Sequence, residues 1–108
     1  MNSKFRGEQM DELFKAVLTL ETVEECYAFF GDMCTVLELQ NFAQRIQVAK
    51  MLMSKNVYSD IVATTGASTA TISRVNRTLT QDDNGGYALV FKRLKEQEEA
   101  EKNKNGGK

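Results

Sequence analysis

The 108-residue sequence contains no histidine, no proline and no tryptophan, and only two cysteines. Without histidine it lacks the side chain that most often serves as a base near neutral pH and most often ligates metals, so a hydrolytic triad would need another base and ordinary zinc chemistry has no ligand set. Cys26 and Cys34 lie in one apolar stretch. Two thiols at that spacing form neither a metal site nor a small disulfide scaffold, and they read as reduced core residues. The absence of proline, with few β-branched alternations, favours a nearly all-helical chain. No apolar run approaches about 20 residues and no segment has the layout of a signal peptide, which excludes a spanning helix and points to a cytoplasmic protein. With 42% hydrophobic and 27% charged residues, the chain has the composition of one soluble globular domain.

The net charge of −1 hides an uneven distribution. Residues 1–41 hold three bases against eight acids, −5, and residues 81–108 hold six of each. Between them, Arg45, Lys50, Lys55, Arg74 and Arg77 face only Asp60, +4 over residues 42–80. A polyanion would meet this middle third; the plainer alternative is a set of ordinary solvated side chains.

Hydrophobic spacing predicts a loose arm over residues 1–7 and a first helix from about Glu8 to Leu20, with Leu13, Phe14, Val17 and Leu18 on one side. Thr22 with Glu25, and Thr35 with Glu38, fit the capping box, in which a hydroxyl and a carboxylate satisfy free amides at a helix start. The helices they begin run from about Thr22 to Met33 and from about Val36 to Met53. Both carry more large apolar side chains than one narrow face hides, an excess that a dimer would bury. Residues 80–86, rich in Asp, Asn and Gly, read as a loop. A last helix starts near Tyr87 with Val90, Phe91 and Leu94 as its apolar stripe. The expected domain is 1–96, followed by a disordered charged tail over 97–108.

The informative segment is residues 57–79. Ile61 fits the inner side of a short helix, and Gly66 follows where a left-handed residue lets the chain turn. Ala67 is small enough for the turn interior, and Ser68 is placed to cap a second helix whose Ile72, Val75 and Leu79 point inward. Thr65 is more polar than this pattern prefers. With about 100° per residue, Ala70, Ser73, Arg74 and Arg77 fall on the outer side, with Thr69 and Thr71 flanking the first turn. Small residues, hydroxyls, methyls and guanidinium groups suit a DNA major groove, with Thr69, Ala70, Thr71 and Ser73 at bases and Arg74, Arg77, Ser68, Tyr58 and Ser59 mostly at phosphates. The plain alternative is a helical hairpin that packs or holds a protein; it would not call for an acid-free outer face with two arginines.

Residues 66–79, Gly-Ala-Ser-Thr-Ala-Thr-Ile-Ser-Arg-Val-Asn-Arg-Thr-Leu, resemble the recognition-helix segment of the Trp repressor superfamily, and the order of elements from Leu13 to about Leu94 is similar as well. Within it the stretch from Thr65 to Leu79 looks like that of the YerC/YecD group. The resemblance implies an all-α, six-helix fold with a helix-turn-helix in an interlocked homodimer, binding operator DNA as a transcriptional regulator. It also implies a ligand position between the third helix and the recognition helix. Arg74 matches one of the two arginines that hold tryptophan in that family, and the other falls on Gln44 or Arg45 depending on register. Val75 stands where the family has a glycine, so its side chain would fill the indole space and tryptophan is not the expected corepressor. No cofactor, metal or membrane is implied, and no enzyme: Asp60 beside Ser59 offers no base for a nucleophile, and no glycine loop cradles phosphate. The alternatives are a metabolite-gated form of the same switch and an adaptor whose helix-turn-helix binds protein.

Overall fold

The computed structural model describes residues 6–106, in which the chain forms six helices and no strand. They are α1 (Glu8–Val17), α2 (Val23–Met33), α3 (Val36–Met53), α4 (Tyr58–Thr65), α5 (Thr69–Thr80) and α6 (Gly86–Gly106). No helix among the described residues is long and apolar enough to cross a membrane. Most of the arm expected over residues 1–7 lies outside the described residues.

Helix starts follow local chemistry. At α3 both halves of the capping box form: the Glu38 amide donates to Thr35 Oγ1 at 3.1 Å and the Thr35 amide donates to Glu38 Oε1 at 2.8 Å. At α2 the Glu25 amide donates to Thr22 Oγ1 at 3.1 Å, but the Glu25 carboxylate reaches one residue further back and accepts from the Glu21 amide at 2.8 Å. Helix α1 ends at Val17, three residues before the expected Leu20, because its last turn tightens: Thr19 and Leu20 donate to the carbonyls of Ala16 and Val17. Helix α3 closes through Lys55, a non-glycine residue at φ 66°.

The chain divides between Ala43 and Gln44 into two compact units, where its length suggested a single domain over residues 1–96. The division has a physical basis in burial. The first unit buries none of its described side chains, whereas the second encloses a core of Val48, Ala49, Ile61, Ala67, Ile72 and Val75. Met51, Leu52, Leu79, Tyr87 and Phe91 pack against that core, and Tyr87 stacks on Phe91 at 6.0 Å between ring centres.

Helix α6 corrects the expectation of a disordered tail over 97–108, since it continues to Gly106. Residues 96–104 have no apolar anchor, but they are mostly Glu, Gln, Ala and Lys. These are strong helix formers, and extending a helix already nucleated at Tyr87–Leu94 needs only backbone bonds. Residues 107 and 108 lie outside the described residues.

Candidate nucleic-acid interface

Helix α4, a three-residue turn and helix α5 form the expected helix-turn-helix. Gly66 caps α4 in the left-handed region, φ 73° and ψ 4°, and its amide donates to the Val62 carbonyl at 2.9 Å. Ala67 is buried within the turn at 2% exposure. Ser68 is the N-cap of α5: its Oγ accepts from the Thr71 amide at 3.1 Å and donates to Thr71 Oγ1 at 3.1 Å. Ile61 and Ile72 are both fully buried and Val75 nearly so, while Leu79 is half-buried against them. The inward and outward faces of α5 are therefore the ones its spacing predicted.

Thr65, which the sequence pattern marked as too polar, is the residue that organises the turn. Its Oγ1 donates to the Ile61 carbonyl at 2.7 Å and accepts from the Ala67 amide at 3.1 Å. Its carbonyl accepts from Gln44 Nε2 of α3 at 3.3 Å. A hydroxyl at this point satisfies backbone groups that a helix end leaves without intrahelical partners.

Among the expected contact residues, Tyr58, Ser59, Ser68, Thr69, Ala70, Ser73, Arg74 and Arg77 are exposed and Thr71 is half-buried. A concavity of about 470 Å³ brings Tyr58 of α4 together with Ala70, Ser73, Arg74 and Arg77 of α5. Asn76, Thr80 and Gln81 line it too, and sequence reasoning stopped short of them. The signal was present, since Thr80 and Gln81 follow Arg77 by three and four residues on the same helix side. The amides of Thr69 and Ala70 point beyond the helix end, adding the positive pole of α5 to its arginines.

The three residues matched to a ligand position are placed differently. Gln44 is half-buried and its amide is engaged by Thr65, Arg45 is exposed on α3, and Arg74 lies in the outer concavity. Val75, at the position of the family glycine, is 4% exposed within the core.

Among the described residues this geometry, six helices in which α4, a tight turn and α5 close on a small core and leave an acid-free outer face on α5, is that of a helix-turn-helix fold. The chain belongs to the Trp repressor protein family, whose profile matches residues 8–95. It is 50% identical over 95 residues to the uncharacterized protein YerC of Bacillus subtilis (strain 168), covering 88% of this chain and 90% of that one. Among solved structures it is similar to one described as a "putative Trp repressor from Staphylococcus aureus", with a TM-score of 0.83 and 51% identity over 88% of this chain and 95% of the other. It is also similar to a TrpR-like protein of Eubacterium eligens ATCC 27750, with a TM-score of 0.81 and 49% identity over 86% of this chain and 95% of that one.

Proposed function

We propose that the chain is a sequence-specific, repressor-like transcriptional regulator that binds double-stranded operator DNA as a homodimer. The observation that carries this reading is the α5 outer face: Thr69, Ala70, Ser73, Arg74 and Arg77 stand exposed on a helix whose other side is locked by Ile72 and Val75. Thr69, Ala70, Thr71 and Ser73 read base edges. Arg74 and Arg77, with Tyr58 and Ser59 at the start of α4, hold phosphates and fix the docking angle. Ser68, exposed at the N-cap of α5, joins them at the phosphates.

Membership of the family supports the dimer, and so does the surface. Leu18, Tyr27, Val36 and Val23 are between 70 and 83% exposed in the first unit. The second unit has an open groove of about 1020 Å³ between α3 and α6, with Ile46, Met53, Phe91 and Leu94 along it. Exposed apolar surface on this scale is unusual for a monomer, and a second copy with interlocked N-terminal helices covers it. The regulator works in the cytoplasm, where the DNA is, and it needs no tryptophan, since Val75 occupies the core position where the family has glycine.

The test is a fluorescence anisotropy titration against duplexes selected from a random pool, run at several salt concentrations. Arg77→Ala should weaken binding to every sequence and flatten the salt dependence by about one unit of slope, whereas Ser73→Ala should change sequence preference, at about 1 to 3 kcal/mol for the preferred site. An Arg77→Ala protein that binds as tightly as the parent at all salts refutes the assignment. A two-fold symmetric selected site would support the dimer.

A further inference from the structure

We infer that Gln44 is a positioning residue of the nucleic-acid interface, a strut from α3 that holds the end of α4 and thereby sets the pose of the reading helix. The inference rests on the DNA-binding reading for its functional consequence and on the hydrogen-bond geometry alone for its structural part.

Gly66 leaves α4 in a left-handed conformation and gives its amide to Val62, so the Thr65 carbonyl needs a donor from outside the helix. Gln44 Nε2 supplies it at 3.3 Å, across 21 residues of sequence. The same threonine ties the turn to itself, its hydroxyl donating to Ile61 and accepting from Ala67. One residue later Ser68 begins the cap that orders the first turn of α5. A continuous run of bonds therefore links α3 to the exposed N-terminal turn of the reading helix, with Thr65 as its junction. Only Gly66 and Ala67 separate Thr65 from Ser68, so any drift of the α4 end is carried directly into the face that meets the duplex.

Gln44 is not part of the core. It is half-buried, and the six core residues close without it. Its loss leaves those six residues in place, but a water that hydrates the Thr65 carbonyl in its stead provides no tie to α3. The fold therefore tolerates its removal while the placement of α5 does not, which separates a positioning role from a general stabilising one. Specific recognition suffers most, because base-edge contacts require a fixed approach, whereas non-specific phosphate contacts tolerate several.

The experiment uses the full chain and two substitutions. Gln44→Met keeps side-chain length and charge and removes the donor; Gln44→Lys restores an N–H donor. Binding is measured for each against a duplex selected from a random pool and a scrambled duplex of the same length, together with thermal denaturation and amide hydrogen exchange. The expected result for Gln44→Met is an unchanged melting temperature, a specific-to-scrambled affinity ratio lower by about ten-fold, and faster exchange at the Ala67 and Thr71 amides but not in α6. Gln44→Lys should recover both ratio and protection; taking the ratio cancels the effect of its added charge. A Met variant with the parent's ratio and the parent's exchange overturns the strut. If the parent itself binds no DNA, the functional reading fails on its own, and exchange at Ala67 and Thr71 still decides whether the strut exists.

Discussion

The two units share helical spacing of apolar residues but enclose them to different degrees. In the first, Leu13, Phe14, Val17 and Leu18 recur at helical spacing as regularly as any set in the chain, yet Phe14 is half-exposed and Leu18 is 83% exposed. In the second, Ile61, Ile72 and Val75 have the same chemistry and are almost wholly enclosed. Amphipathic spacing places a helix and orients its apolar side, but it does not say what covers that side. The second unit contains its own cover, because a tight turn folds α5 back on α4 and both lie on Val48 and Ala49 of α3. The first unit has side-chain-capped helix starts at Thr22 and Thr35 but buries none of its described side chains.

The largest effect that sharpens this contrast comes from the core. Ile72→Ala removes a fully buried side chain from a close-packed site and should lower the stability of the second unit by about 2 to 5 kcal/mol. Leu18→Ala, by contrast, should change the unfolding free energy of a dilute, monomeric sample by less than about 0.5 kcal/mol. Urea denaturation followed by circular dichroism at low protein concentration measures both. Equal losses would mean that the first unit has an interior of its own and that the contrast is false.

An intermediate effect tests what covers the first unit. In the proposed homodimer, Tyr27 and Val36 become buried, and replacing both with serine should weaken association by about 1 to 2 kcal/mol per side chain. Sedimentation velocity across a concentration series would show the dimer boundary moving to higher concentration, with the monomer's helicity unchanged. A parent protein that remains monomeric at high concentration would remove the dimer from the reading and leave these side chains without an explanation.

The legibility of the chain follows the same division. The bounds of α3 were readable because Thr35 and Glu38 mark its start by mutual bonding. The turn was readable because Gly66 and Ser68 are residues whose local conformations differ from those of a continuing helix. Which side of α3 faces the core was not. Val48 is fully buried, while the equally apolar Ile46 and Met53 are more than 40% exposed. Helix α3 is apolar on several sides, so spacing alone gives no preferred face. The role of Thr65 was hidden for a different reason: its partner stands 21 residues away, and no local pattern announces a bond from Gln44. Of the interface, the charged and small residues up to Arg77 were legible from helical periodicity, and the same periodicity extends to Thr80 and Gln81, whereas Asn76 joins the concavity only through the fold.

The smallest expected effects concern two left-handed residues that end helices of the second unit with opposite chemistry. Gly66 ends α4 at φ 73° and Lys55 follows α3 at φ 66°. A Cβ added at Gly66 meets no atom within 4 Å, so Gly66→Ala costs backbone strain alone, about 1 kcal/mol. Lys55 already bears that strain. Lys55→Gly relieves it but gives the unfolded chain more freedom to lose, so the net gain should be only about 0.5 kcal/mol. The two changes should thus move the melting temperature in opposite directions. The difference extends to DNA. Gly66→Ala strains the backbone of the turn that presents α5 and should reduce the preference for a selected duplex over a scrambled one. Lys55→Gly removes a charge from the basic third of the sequence and should weaken both duplexes alike, with a shallower salt dependence. If Gly66→Ala left stability unchanged, the turn would be relaxing into another conformation, and the argument that this glycine fixes the reading helix would fail with it.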